Sequence, residues 1–173
     1  MKLLFALLSV LIPLAAAHAD DPVSGPAPDF MASSLTRCGD KIYASCVDQA
    51  TLLKDGLDRA HAEHKRALVI FGFNSCPPCN VLDRWLKTPE GAALVKPYVQ
   101  IDLSIFDETG ALRPEIYTNV LPTLGLSINQ TPPYGVPLFA IVDPETEKVL
   151  GKAILGFSAS HHEEQVGYLK AHE

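Results

Sequence analysis

Two cysteines separated by two prolines, Cys76 and Cys79, are the side chains of this sequence best suited to covalent chemistry. The apolar run Leu68–Phe73 precedes them, and apolar residues at helical spacing follow them. We therefore predict that a buried strand ends just before the thiols and that a helix begins at them. The positive end of a helix dipole favours a thiolate, which is the attacking species in disulfide exchange. The arrangement predicts Cys76 as the nucleophile and Cys79, one turn deeper, as the resolving thiol.

The residues between the two thiols, Pro77 and Pro78, affect how strongly a Cys76 thiolate is stabilised. Neither proline has a backbone N–H group, so only amides from Cys79 onward are available to the Cys76 sulfur. We expect Cys76 to be moderately acidified, with a thiol pKa above the value of about 3.5 found in the strongest oxidants. The direction of electron flow stays open at this stage.

Length, charge and the first residues restrict the class of protein. The chain has 173 residues and a formal net charge of −6 at pH 7, which predicts one domain with a sizeable core and argues against nucleic-acid binding. Residues 1–19 have the pattern of a secretory signal peptide: Lys2, the apolar run Leu3–Leu14 and a small-residue cleavage site ending at Ala19. We predict cleavage after Ala19, no stable membrane anchor afterwards, and a location in the periplasm or outside the cell.

A second pair of cysteines, Cys38 and Cys46, lies in the segment after the predicted signal peptide. Export brings all the cysteines to a compartment where disulfides persist. Four cysteines permit three connectivities, and proximity in the sequence favours Cys38–Cys46 and Cys76–Cys79. We interpret Cys38–Cys46 as a structural disulfide that holds an N-terminal lead-in, residues 20–46. A second redox pair that relays electrons to Cys76, or a metal site, are the alternatives.

The pattern around the thiols predicts the elements that position them. The run before the thiols is apolar on both faces, so we expect a central strand that is covered on both sides. On the following helix, Asp83 is expected to face away from the core and Val81 to face it. The other expected elements are a helix capped by Asp48 and ending near Lys65, a short helix from Thr88, a strand at Tyr98–Leu103, a helix at Leu112–Val120, a loop at Leu121–Pro137, an antiparallel hairpin of Pro137–Val142 with Lys148–Phe157, and a final helix capped by Ser160.

An apolar strand, a C-x-x-C helix and a later strand opened by Val136-Pro137 together resemble the thioredoxin fold. The resemblance covers residues 47–173, and the segment around the thiols is similar to exported bacterial thioredoxin-like proteins. It implies an α/β fold with a central mixed β-sheet flanked by helices, here with an N-terminal extension. It also implies that the peptide bond before Pro137 is cis and lies beside the thiols, where Val136 pairs with the backbone of a bound substrate.

The activity that the resemblance implies is thiol-disulfide exchange with protein cysteines. Its substrates are proteins with cysteines or disulfides, an unidentified redox partner recharges the Cys76–Cys79 pair, and neither a cofactor nor a metal is assigned. A thioredoxin-fold copper chaperone using the same two thiols is one alternative, and a redox-inert binding module is another. The C-P-P-C segment lacks the methionine or histidine ligand that would favour copper.

One departure from the family concerns the acid behind the thiols. Cytosolic thioredoxins carry a buried acid on the strand before the motif, and counting back six residues from Cys76 reaches Ile70. The usual proton acceptor for the resolving thiol is therefore missing at that position. Asp102 on the following strand, or another acid, is the candidate to replace it.

Overall fold

The computed structural model describes residues 38–39, 41–127, 135–157 and 162–173. The predicted signal peptide at 1–19, the part of the lead-in before Cys38, and Ser160 with its predicted helix cap lie outside the described residues. Within the described ranges, no helix is both long enough and apolar enough to cross a membrane.

The first half of the described chain alternates helices with strands, and three consecutive strands and a final helix complete it. The helix cap predicted at Asp48 is confirmed, since its side chain accepts a hydrogen bond from the Thr51 amide at 2.7 Å. The short helix predicted from Thr88 is also present, and the Thr88 hydroxyl caps it by accepting a hydrogen bond from the Gly91 amide at 3.2 Å. The elements are α1 (Gln49–Ala62), β1 (Arg66–Gly72), α2 (Pro77–Leu86), α3 (Pro89–Val95), β2 (Tyr98–Ser104), a π-helical turn (Ile116–Val120), α4 (Leu121–Leu124), β3 (Leu138–Asp143), β4 (Lys148–Val149), β5 (Ile154–Leu155) and α5 (His162–Ala171).

The five strands form one mixed sheet in which β1 lies between β2 and β3. β1 and β2 are parallel, whereas β1 and β3 are antiparallel, and β4 and β5 both pair antiparallel with β3. The parallel pair is joined by a crossover through α2 and α3, as parallel neighbours require. This is the mixed, helix-flanked sheet of the predicted thioredoxin fold, and that prediction is confirmed.

Alternate side chains of β1 enter two separate apolar layers, one on each face of the sheet. Val69 and Phe71 pack with α1 and with the π-helical turn. Leu68 and Ile70 pack on the opposite face with α2, α3 and α5. Because both faces are covered, β1 needs apolar side chains at every position, which explains the continuous run seen in the sequence. Packing on both faces therefore fixes the C-terminal end of β1, which the thiols follow.

The segment between β2 and β3 differs from the prediction. The expected helix at Leu112–Val120 begins at Pro114, after Leu112 forms an isolated bridge with Phe106, and it continues into α4 instead of ending at a loop. Pro122 lies in the first turn of α4, directly after the π-helical turn, where the Leu121 amide donates to the Ile116 carbonyl. The predicted loop after Val120 is therefore shortened by α4.

Two other predicted boundaries were wrong. α1 ends at Ala62 rather than near Lys65, because His64 takes a left-handed φ of 53° that no α-helix continues through. The single strand expected at Lys148–Phe157 consists of β4 and β5, which are separated by a turn at Gly151 with a φ of 71°. The predicted antiparallel pairing with β3 is confirmed for both short strands.

Candidate active site

Cys76 is the N-cap residue of α2, directly after the loop that follows β1. It forms a disulfide with Cys79 in the first helical turn. The Cys79 amide donates a hydrogen bond to the Cys76 sulfur at 3.2 Å. Pro77 and Pro78 occupy the two helical positions between them, where the absence of an N–H group is tolerated. The structure thus places the predicted thiol pair where strand, loop and helix meet.

The Cys76–Cys79 disulfide is covered by side chains from other parts of the chain. Each cysteine is only 1% exposed. Tyr43 is buried against them, and Ile42, Phe73 and Val136 pack on the same cluster. A partner disulfide therefore reaches the sulfurs only after some of these side chains move.

The peptide bond between Val136 and Pro137 is cis, as the resemblance implied. Val136 packs against the cluster that contains the two thiols, while Pro137 is buried immediately before β3. The Pro137 carbonyl accepts a hydrogen bond from the Gly156 amide at 2.7 Å, which ties this corner to the segment after β5. The structure therefore brings the predicted substrate-binding residues and the predicted thiols together.

A narrow space behind Cys79 is lined by acidic and amide side chains as well as apolar ones. Asp83 reaches it from α2, and Gln100 and Asp102 reach it from β2, but it has no room for a water molecule. Asp102 is the register partner of Ile70 on the neighbouring strand, and both side chains line this space. An acid on the adjacent strand therefore lines the same space as Cys79, next to the position where Ile70 stands.

The Asp102 carboxyl changes its charge close to neutral pH. Burial raises its pKa to about 7, against the effect of a hydrogen-bonding amide and with the help of the Asp83 carboxylate. The amide is that of Gln100, whose Nε2 donates to both carboxylate oxygens at 2.8 and 3.1 Å. A carboxyl group with such a pKa can accept and return a proton at neutral pH.

Asp83 does not lie where the helical pattern predicts it. Its side chain is only 17% exposed, and its carboxylate pairs with Lys87 at 2.8 Å while also lining the space behind Cys79. Four residues separate Asp83 from Cys79, which places both on the same face of α2. The prediction for Val81 was also wrong, since this side chain is 43% exposed.

The hydroxyl group of Tyr43 lies near Cys79. A Cβ atom placed on Gly72 would lie within 3.0 Å of both the Tyr43 hydroxyl oxygen and the Cys79 sulfur, so both groups border this glycine. Burial, together with the negative charges of Asp102 and Asp83, raises the pKa of Tyr43 far above its ordinary value. The phenol therefore keeps its proton and stays a hydrogen-bond donor.

The second pair of cysteines, Cys38 and Cys46, also forms a disulfide, with Cα atoms 5.5 Å apart. The loop that it closes carries Ile42 and Tyr43, which touch the Cys76–Cys79 cluster. The end of the predicted lead-in is therefore part of the wall around the active-site disulfide.

Sequence reasoning missed Tyr43, Asn74 and Gln100 and assigned Asp83 to the solvent. Asp83 could have been found from its i, i+4 spacing to Cys79. Tyr43 had no such signal, because it precedes the first helix and belongs to no periodic pattern. Within the described residues, no group of three or more His, Cys, Asp or Glu side chains is arranged to hold a metal ion.

Comparisons with known proteins agree with this architecture. Two crystal structures of the DsbD C-terminal domain of Neisseria meningitidis, reduced and oxidised, match with 21% and 22% identity and TM-scores of 0.52 and 0.50. They cover 73% and 74% of this chain and 97% and 98% of those chains. A disulphide isomerase from Xylella fastidiosa Temecula1 matches with 20% identity and a TM-score of 0.51, covering 76% of this chain and 95% of that chain.

Sequence comparison adds a family assignment to these structural similarities. A search of the curated proteins finds no match. The sequence profile described as thioredoxin-like matches residues 49–144, which is more than half of the chain and includes both Cys76 and Cys79. The chain therefore belongs to the thioredoxin-like family.

Proposed function

We propose that the protein is an exported thiol-disulfide oxidoreductase that acts on protein cysteines, with Cys76 as the nucleophile and Cys79 as the resolving thiol. The observation that carries the proposal is the Cys76–Cys79 disulfide at the start of α2, with the cis Val136–Pro137 bond on one side and the Asp102 carboxyl on the other. The positive end of the helix dipole at the start of α2 favours the Cys76 thiolate.

In the reducing direction, the Cys76 thiolate attacks one sulfur of a substrate disulfide. A Cys76–substrate disulfide forms, the substrate bond breaks, and the other substrate sulfur leaves as a thiolate. Cys79 then loses its proton and attacks the Cys76 sulfur, which releases the second substrate thiolate. The substrate gains two electrons, and the protein is left with the Cys76–Cys79 disulfide. The reverse sequence oxidises a substrate dithiol, and a further redox partner restores the starting state in either case.

Asp102 is suited to take the proton from Cys79 in the second step. Its carboxyl lines the same space as Cys79, and its pKa of about 7 leaves it largely ionised above neutral pH. Since the space has no room for water, the carboxyl groups that line it are the proton acceptors next to Cys79.

Reduction of insulin by the purified protein, with dithiothreitol as the electron source, tests the proposed activity. We expect the wild-type protein to accelerate the reaction and Cys76→Ser to abolish the acceleration. The matched control is Val81→Ser, on the same helix but with a side chain that is 43% exposed, which is expected to behave like the wild type.

Two outcomes of this assay would contradict the proposal. Activity that survives Cys76→Ser would remove the nucleophile assignment. A wild-type protein that leaves insulin disulfides intact would favour the binding alternatives, a copper chaperone or a redox-inert module.

Export is tested separately by expressing the full-length chain in bacteria and sequencing the N-terminus of the product. We expect the protein in the periplasmic fraction with Asp20 as its first residue. Recovery from the cytoplasm with the first nineteen residues attached would contradict the predicted signal peptide.

A further inference from the structure

The loop closed by the Cys38–Cys46 disulfide contacts the active-site thiols, although it lies outside the helices and strands of the thioredoxin fold. We propose that Tyr43 on this loop is a positioning residue for the Cys76–Cys79 pair and that the Cys38–Cys46 disulfide holds it in place. The proposal rests on the proposed function, since it concerns the reactivity of the same two thiols.

Contacts between Tyr43 and the thiols carry the first half of the proposal. Tyr43 is 1% exposed and belongs to the same buried cluster as Cys76 and Cys79. Its hydroxyl and the Cys79 sulfur both border Gly72, where any larger residue would collide with both groups. Its ring also lines the space that contains Asp102. Tyr43 thus helps to close Cys79 off from solvent and places its hydroxyl at the same glycine as the Cys79 sulfur.

The loop is tied to the active-site segment through Asn74. The Tyr43 amide donates to the Asn74 side-chain oxygen, and the Asn74 side-chain amide donates back to the Tyr43 carbonyl, both at 3.0 Å. The Asn80 amide group in turn donates to the carbonyls of Asn74 and Cys76, at 3.3 and 3.0 Å. A continuous set of hydrogen bonds therefore joins the backbone of Tyr43 to the first turn of α2.

The far side of the loop is fixed to the sheet and to the π-helical region. Gln49 donates to the carbonyls of Ala44 and Val47, at 3.0 and 2.7 Å, and accepts a hydrogen bond from the Ser104 amide at 2.7 Å. The Arg113 guanidinium donates to the Ser45 carbonyl. The Cys38–Cys46 disulfide closes this loop immediately before Asp48, which caps α1.

These restraints act on Cys79 in two ways that have opposite signs. The buried ring keeps water and reagents away from the thiol, which slows its reactions with anything except Cys76. The hydroxyl stabilises a Cys79 thiolate when it forms, since a hydrogen bond to a charged group is stronger than one to a neutral group. Removing the whole side chain and removing only the hydroxyl are therefore expected to change Cys79 in different directions.

The test measures alkylation of Cys79 by iodoacetamide, as a function of pH, in the full-length protein carrying Cys76→Ser. Adding Tyr43→Ala is expected to speed labelling at pH 7 by about tenfold or more, because the cover is lost. Adding Tyr43→Phe is expected to keep the cover and to raise the pH midpoint of labelling by about one unit, the equivalent of a tenfold change. Tyr98→Phe is the matched control, since this buried hydroxyl donates to the Leu169 carbonyl instead.

The role of the second disulfide is tested by adding Cys38→Ser and Cys46→Ser to the same Cys76→Ser protein, with the labelled cysteine identified by mass spectrometry. Faster labelling of Cys79, toward the Tyr43→Ala rate, is the expected result. A rate equal to that of the parent would overturn the holding role of Cys38–Cys46.

Unchanged labelling of Cys79 in both Tyr43 variants would overturn the positioning role. If circular dichroism shows that Tyr43→Ala does not fold, the test depends on Tyr43→Phe alone. An unchanged pH midpoint of Cys79 labelling in that variant overturns the proposal. Failure of the proposed function is distinguished by the insulin assay on the wild-type protein. Absence of insulin reduction, with the expected labelling pattern, would contradict the oxidoreductase and not the placement of Tyr43.

Discussion

The two disulfides have similar Cα separations and similar amide-to-sulfur hydrogen bonds, but very different surroundings. Their Cα atoms are 5.5 and 5.3 Å apart, and in each pair the amide of the second cysteine donates to the sulfur of the first, at 3.3 and 3.2 Å. Cys76–Cys79 begins a helix of ten residues and has a titratable acid behind it. Cys38–Cys46 closes a loop whose carbonyls are bound by Gln49 and Arg113 side chains.

This comparison teaches that the Cα separation and the amide-to-sulfur hydrogen bond alone do not separate the proposed redox pair from the proposed structural pair. What differs is the group beside the second cysteine: Asp102 and Tyr43 lie beside Cys79. A thiol that must lose its proton needs such a neighbour, whereas a permanent disulfide does not. The proposed roles therefore follow from proton transfer and not from disulfide shape.

The largest expected effect comes from removing the resolving thiol. Cys79→Ser leaves Cys76 able to attack but unable to release its substrate, so we expect multiple-turnover insulin reduction to stop and a covalent Cys76–insulin disulfide to accumulate. A non-reducing gel detects the adduct, and dithiothreitol reduces its disulfide and releases the insulin. The double variant Cys38→Ser/Cys46→Ser should turn over without trapping substrate. An equal yield of trapped adduct from both proteins would contradict the different roles proposed for the two disulfides.

The next largest effect concerns the acid behind Cys79. Because Asp102 is protonated below its pKa of about 7, it can accept the Cys79 proton only at higher pH. The ratio of wild-type to Asp102→Asn rates for resolving the mixed disulfide should rise from near one at pH 5 to about 10² at pH 8. Stopped-flow single-turnover measurements give this ratio.

Asp107→Asn is the matched control for the Asp102 experiment. Asp107 is an acid that lies shortly after β2 in the sequence. Hydrogen bonds from Thr109 and from the Ala111 amide lower its pKa. It does not line the space behind Cys79, so its rate ratio should stay near one. A flat ratio for Asp102→Asn across the pH range would show that another group takes the proton.

A smaller effect is expected when the other disulfide is removed. Cys38 and Cys46 are eight positions apart, and closing a loop of this length stabilises the folded state by about 2–3 kcal/mol through the unfolded chain. Urea unfolding of Cys38→Ser/Cys46→Ser should show this loss in the free energy of unfolding. An unchanged midpoint would mean that the hydrogen bonds of Gln49, Asn74 and Arg113 hold the loop unaided.

The smallest expected effects compare two glycines. A methyl group at Gly72 would collide with Tyr43 and Cys79, so Gly72→Ala should cost about 1–3 kcal/mol of stability and disturb the active site. Gly167 in α5 has open space around it, and Gly167→Ala should stabilise the protein by about 0.5–1 kcal/mol. Thermal unfolding measures both, and similar shifts for the two variants would argue against close contact above Gly72.

Much of the framework could be predicted because it depends on short-range patterns. The apolar run of β1, the prolines after Cys76 and the caps at Asp48 and Thr88 each act within a few residues of their own position. α4 was not predicted, since the four prolines and two glycines of Leu121–Pro137 indicate a loop.

The details of the active site depend on contacts that no local pattern records. Whether Asp102 faces Cys79 depends on the register of β2 against β1, and a shift of one residue would turn its side chain to the other face of the sheet. Tyr43 reaches Cys79 only because the loop folds back across α2, which hydrogen bonds to Asn74 make possible. Asp83 was predicted to face solvent because it is charged, although its i, i+4 spacing places it on the same helix face as Cys79.

The order in which the cysteines pair also has a consequence for assembly of the molecule. Each disulfide joins cysteines that are consecutive in the sequence, the first with the second and the third with the fourth. A chain that emerges with its N-terminus first can complete Cys38–Cys46 before Cys76 appears. The native connectivity is then reached by simple consecutive oxidation, with no earlier bond to be broken and reshuffled, and the loop that carries Tyr43 is ready when α2 folds against it.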